Sequence, residues 1–133
     1  MRAVAPVSLV LFVAACCMPA LDWRKDGVMY GYSVLAVGWS GIFAGVLAWY
    51  ANPLLAFAMG FSFMKQPKTA AVFGLLSLGL ALTTYLWIGR ELPGDEGGVT
   101  KTAILKLLPG CYVWFASIAV IPLAALLPLE PSR

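Results

Sequence analysis

Acid–base and metal chemistry need side chains that hold a proton or a lone pair, and this chain carries few of them. Its 133 residues include six Asp and Glu, nine Lys and Arg, three Cys and no His. The only run with several carboxylates, "GDEGG" at 94–98, is flanked by glycines and reads as a solvated turn rather than a metal site. An enzyme acting on lipids from the loops would have to gather its acid–base or metal site from Asp22, Asp26, Asp95 or Glu96, and no spacing among these demands one. Cys16, Cys17 and Cys111 lie in apolar segments without C-x-x-C spacing, which argues against a zinc site or a disulfide framework. They read as small apolar fillers. The net charge of +3 is spread thinly and forms no basic stripe, so nucleic acid is not an expected partner. No cofactor, no metal and no catalytic residue is expected.

The absence of charge is itself informative. Not one Asp, Glu, Lys, Arg or His occurs over 29–64 or over 69–89. Transporters and proton relays place ionisable groups inside their membrane spans, so cation-coupled transport by this chain alone is not expected. Of the polar groups left inside the apolar runs, Asn52, Ser77 and Thr84 are the candidates for a polar path, with Trp49 near Asn52.

These residues must be positioned by unusually apolar elements. The chain is 62% hydrophobic and 11% charged, against about 25% charged in soluble domains. A bilayer is the solvent that suits it, and a span there needs roughly 20 apolar residues. The composition predicts one all-α, polytopic membrane domain over 1–133: a four-helix transmembrane bundle with spans at about 3–21, 42–64, 69–89 and 107–128. The first run, "AVAPVSLVLFVAACCMPAL", is read as a retained helix; the alternatives are a cleaved signal peptide and a lipoprotein signal ending at Cys16, where "VAAC" makes a loose lipobox. The 29–64 run is too long for one straight crossing. Its beginning, "MYGYSVLAVGWSG" at 29–41, suits the headgroup region. In the rest, Asn52–Pro53 would kink the second span at mid-membrane, where Pro53 removes a backbone N–H and Asn52 offers a polar handle. The rival geometry has two short passes, 30–47 and 53–65, with Asn-Pro as the turn and five passes in all. Lys106 is expected to snorkel, and Pro109 and Pro122 to bend the last span.

Orientation rests on short loops. In the four-span arrangement Arg2, Lys65, Lys68 and Arg133 share one side; Arg24, Lys25, Arg90, Lys101 and Lys106 share the other with most of the acids. The loop "KQPK" at 65–68 carries two lysines and no acid, which favours both termini in the cytoplasm.

Small residues recur at helix-contact spacing. Gly41 and Gly45 form a G-x-x-x-G continued by Ala48 and Asn52; Gly74, Ser77, Ala81 and Thr84 draw a second stripe; Ala116, Ala119 and Ala124 draw a patchier third. Such stripes let helices approach closely in lipid. Faces of this kind pack inside the bundle, or meet a partner protein or second copy. Aromatics gather near span ends: Trp23, Tyr30, Tyr32, Tyr85, Trp87, Tyr112 and Trp114, an interfacial belt on the outer side or an aromatic groove. A specific site within the membrane would be sought at Gly41, Gly45, Trp49, Asn52, Pro53, Gly74, Ser77 and Thr84.

The stretches "GYSVLAVGWSG", "AWYANPLLAFAMGF" and "PGCYVWFAS" resemble a set of small uncharacterised bacterial four-helix inner-membrane proteins with a W-x-A-N-P-L motif. Val113 stands where that pattern has Leu. The resemblance implies a four-helix membrane fold in the bacterial inner membrane and brings no activity. The functional expectation is a non-enzymatic protein that works by helix contact with a membrane-protein partner or its own copies, as an accessory subunit or an immunity-type protein. The alternative is an oligomeric small channel or transporter component with Asn52, Ser77 and Thr84 lining a polar path.

Overall fold

A computed structural model of the chain describes residues 4–23, 27–93 and 101–126. The chain is mostly helical. Helix α1 (Val4–Cys16) is followed by strands β1 (Pro19–Trp23) and β2 (Gly27–Tyr30) and a short helix α2 (Gly31–Val37). Two 3-10 segments, Gly38–Ala44 and Ala48–Tyr50, lead into α3 (Ala51–Phe63). Helix α4 (Pro67–Leu82) continues as a 3-10 tail, Thr83–Trp87. Short strands β3 (Leu92–Pro93) and β4 (Lys101–Thr102) pair, and β5 (Ile104–Leu107) precedes α5 (Pro109–Leu126).

The four longer helices pack as a ring: α1 on α5, α5 on α4, α4 on α3, with a lighter α1–α3 contact. Their ends are set by ordinary signals. Pro67 opens α4 and Pro109 opens α5, at positions where the missing N–H is unneeded. Lys65, at φ 60, reverses the chain between α3 and α4, and the Gln66 N–H closes the turn on the Phe61 carbonyl.

The antiparallel sheet, in the order β2-β1-β5, was not expected of an all-α chain. It gathers one end of the bundle. The Leu108 N–H bonds the Ala20 carbonyl, the Gly31 N–H bonds the Met18 carbonyl, and the Gly89 N–H bonds the Ile104 carbonyl. The C-terminal ends of α1 and α4 and the N-terminal end of α5 are thereby tied together. The sequence reading began the last span at about 107, with an interfacial first turn before it; Ile104–Leu107 instead form a strand, buried in-out-out-in, with a bulge at the β1 pairing. Lys106, taken as snorkelling from a helix, is exposed on β5 opposite Asp22.

Other span expectations are corrected too. Among the described residues one continuous helical stretch, Pro67–Trp87, is long and apolar enough to cross a membrane; α1 and α5 are apolar but shorter. The second span does not run 42–64 with a kink at Asn52–Pro53. Its α-helix begins at Ala51, so Pro53 lies in the first turn, where proline costs no hydrogen bond. The helical chain breaks earlier, at 45–47, where Gly45 adopts φ 83. Nor does 30–47 form the first pass of a helical hairpin, because it divides into a strand end, a two-turn helix and a 3-10 segment. Pro109 starts a helix rather than bending one, while Pro122 does lie within α5.

Throughout the bundle small residues face inward. Ala5, Ser8, Ala51, Ala58, Ala70, Ser77, Ala81 and Ser117 are buried, while Val10, Phe57, Val72, Leu75, Leu76 and Leu123 are more than half exposed. The larger core side chains, Leu55, Phe115, Ile118 and Ile121, come mainly from α3 and α5.

Candidate functional site

Three of the polar side chains within the apolar helices, Ser8, Ser77 and Asn52, join one helix to another, while Thr83, Thr84 and the Ser117 hydroxyl bond carbonyls of their own helices. Ser77 Oγ, fully buried on α4, donates to the Ala51 carbonyl at the start of α3 over 2.7 Å. Two turns on, Thr84 Oγ1 donates to the Ala81 carbonyl of its own helix at 2.7 Å, a way for a buried hydroxyl to satisfy itself. Asn52 Oδ1 accepts from the Trp114 indole N–H over 2.8 Å, joining α3 to α5. A bond that no spacing argument anticipated joins the remaining helix: Ser8 Oγ of α1 donates to the Ser117 carbonyl of α5 at 2.6 Å. The available signal was a lone serine in an apolar run, a residue that in lipid seeks a partner helix.

The small-residue stripes divide. Gly74, Ser77, Ala81 and Thr84 form a buried face of α4. At Gly74 the contact is closest, because a Cβ there would stand 2.9 Å from Cδ of Pro122. Glycine on α4 thus admits the proline ring of α5. The G-x-x-x-G of Gly41 and Gly45 is not a helix-contact stripe. Gly41 lies in a 3-10 segment against Val46 of the same loop, and Gly45 sits in a left-handed turn. The third stripe is also misassigned, since Ala116 is exposed while α5 turns Cys111, Phe115, Ile118 and Ile121 inward. Cys111 fits the filler reading, but Cys17 is exposed and fills nothing.

Trp49, expected at depth beside Asn52, packs on its own loop. Its indole N–H donates to the Leu35 carbonyl at 2.9 Å, and its ring occupies the side-chain space of Gly38. Tyr50 donates to the Trp39 carbonyl at 3.3 Å. The other aromatics collect at the sheet end, where Tyr30 stacks on Tyr32, Tyr85 stacks on Phe115, and the Arg90 guanidinium lies 5.7 Å from the Trp87 ring centre.

The candidate residues therefore do not converge on one pocket. Asn52, Pro53, Ser77 and Gly74 mark successive contacts of α3, α4 and α5, whereas Gly41, Gly45 and Trp49 belong to the loop above. Of the carboxylates weighed for an acid–base site, Asp26, Asp95 and Glu96 lie outside the described residues. Asp22 lies opposite Lys106 across β1 and β5. Among the described residues no three Cys, Asp or Glu side chains come together as metal ligands would. Comparison with family models, with curated proteins and with solved structures finds no match for this chain.

Proposed function

We propose that the chain is a small multi-pass membrane protein, without enzymatic activity of its own, that works by presenting its helical surface to another membrane protein. The observation carrying this reading is the inverted distribution of side-chain size: alanine, serine and glycine inside, leucine, valine and phenylalanine outside. In water such an arrangement forfeits the hydrophobic effect, at about 25 cal/mol per Å² of apolar surface left exposed. In lipid it costs nothing, and small residues give the close backbone approach that drives helix association. The bacterial inner membrane, with both termini in the cytoplasm, is supported by the W-x-A-N-P-L resemblance and the Lys65–Lys68 loop.

Contact rather than conduction is favoured because Asn52, Ser77 and Thr84 are each bonded within the protein, the first two to a neighbouring helix and Thr84 to its own. The outward faces also hold small residues. Ala56 and Gly60 on α3 and Gly79 on α4 are exposed, and nothing lies within 4 Å of a Cβ placed at Gly60 or Gly79. Those notches suit an approaching helix of an accessory or immunity-type complex.

Site-specific photo-cross-linking in native membranes tests both halves. The chain should stay in the membrane after an alkaline carbonate wash, and a cross-linker at Phe57 or Leu75 should yield one discrete protein adduct. Release by carbonate sinks the membrane assignment. Lipid adducts alone at every outward position sink the partner assignment.

A further inference from the structure

We infer that the second crossing of the membrane is discontinuous, with residues 31–50 immersed in the hydrocarbon of the sheet-side leaflet and covered there by lipid acyl chains. The inference rests on the membrane reading above and goes beyond the headgroup position that Tyr, Trp and Gly content suggests for 29–41.

Depth is the first argument. Pro67–Trp87 is the span-length element, rising about 33 Å, against about 30 Å of bilayer hydrocarbon. Helix α3, at about 20 Å, is too short to accompany it throughout. The Ser77–Ala51 hydrogen bond fixes their register and sets the start of α3 opposite the middle of α4. From Ser77 to Trp87 the longer element rises about another 17 Å. What lies beside it over that stretch is the loop. Ala48 is 6% exposed, the Ala48–Tyr50 turn packs on α4, and a Cβ at Gly45 would stand 3.8 Å from the Trp87 ring. The stretch 45–50, bounded by the Ser77–Ala51 bond on one side and Trp87 on the other, lies within the thickness that Pro67–Trp87 crosses, and 31–44 leads into it from the sheet.

Polar satisfaction is the second. Backbone and side-chain polar groups at membrane depth must find partners in the protein. The loop is built of α and 3-10 turns, which close most of its backbone bonds internally. Its side chains do likewise: Ser40 Oγ donates to Val37, Trp49 Nε1 to Leu35 and Tyr50 OH to Trp39, all backbone carbonyls of the same segment.

The third is the chemistry of the outward surface. Val37, Trp39 and Leu47 are 53%, 52% and 44% exposed, and no charged residue occurs anywhere over 29–64. An uncharged apolar surface at this depth is one that acyl chains cover.

Nitroxide labels at Trp39→Cys and Leu47→Cys, with the native cysteines replaced by serine and the full chain in phosphatidylcholine–phosphatidylglycerol vesicles, test the placement. Leu76→Cys serves as the lipid-facing reference and Lys65→Cys as the aqueous one. The loop labels should collide with oxygen as readily as Leu76 does and be shielded from a water-soluble nickel chelate at least tenfold relative to Lys65. Nickel access at the loop with Leu76 still shielded overturns the immersed loop alone. Nickel access at Leu76 overturns the membrane reading itself. Shielding of the loop from both agents means that protein covers it, which removes lipid as the occupant. Should the cysteine variants fail to fold, brominated lipids in the unmodified chain provide the same answer: Trp39→Phe should remove the most strongly quenched part of the emission, and unchanged quenching overturns the proposal.

Discussion

Gly74 and Gly79 lie five residues apart on α4, yet a methyl group has opposite consequences at the two. At Gly74 a Cβ would stand 2.9 Å from the Pro122 ring, while at Gly79 it meets nothing within 4 Å. Gly74→Ala should therefore destabilise the bundle by about 1–3 kcal/mol through overpacking, and Gly79→Ala should leave it unchanged or gain up to about 1 kcal/mol of helix propensity. Reversible unfolding in mixed micelles measures both, and equal effects would show that the α4–α5 approach is looser than described. Ser77→Ala removes the bond to the Ala51 carbonyl and should cost about 0.6–2 kcal/mol, the range for interhelical bonds in lipid. An α4 stripe of small residues was readable from spacing because it lies on a regular helix of period 3.6. The glycines at 41 and 45 have the same spacing, but spacing has no such meaning where the backbone is a 3-10 turn followed by a left-handed residue.

Among the elements, the break between the 31–50 loop and α3 is the feature that periodicity could not place. A proline in an apolar run signals either a kink or a helix start, and both satisfy its missing N–H. The choice fell to the Ser77 hydroxyl, which takes the Ala51 carbonyl, and to Trp114, which takes the Asn52 amide oxygen. If Pro53 sits in a first turn, Pro53→Ala should change stability by less than about 1 kcal/mol, because no helical bond is restored. A mid-helix kink would respond with a clear shift in helix content, measured by circular dichroism. Gly45→Ala should be the costlier change, at about 1–2 kcal/mol for forcing a side chain into the left-handed region. The sheet was missed for a related reason. Its strands are four or five residues long, too short to show period 2 against a background in which most residues are apolar.

In the molecule as a whole, one end is closed by a sheet and aromatics, and the other by the Lys65 turn. Cys17 is exposed at the sheet end, where α1 finishes, and Lys65 is exposed at the opposite end. A membrane-impermeant maleimide applied to intact cells should label Cys17, and should label Lys65→Cys, in a chain lacking the native cysteines, only after the membrane is opened. The reverse pattern would invert the proposed orientation, and labelling of both from one side would remove the crossing. Helix α1 packs into this architecture. Ala5, Ser8 and Ala15 are buried, and Ser8 is bonded to α5, so Ser8→Ala should loosen the α1–α5 contact by about 0.6–2 kcal/mol in the same unfolding assay.

The sequence by itself determined the dominance of helices and the inward stripe of α4. These follow from composition and from a period that each segment displays alone. Only the tertiary structure decided where α3 begins, that Asn52–Pro53 opens a helix, that Ser8 meets α5, and that three loop segments join as a sheet. Each of those depends on which carbonyl or edge lies nearby in space, and partners 26, 62 and 109 residues apart leave no mark on local periodicity.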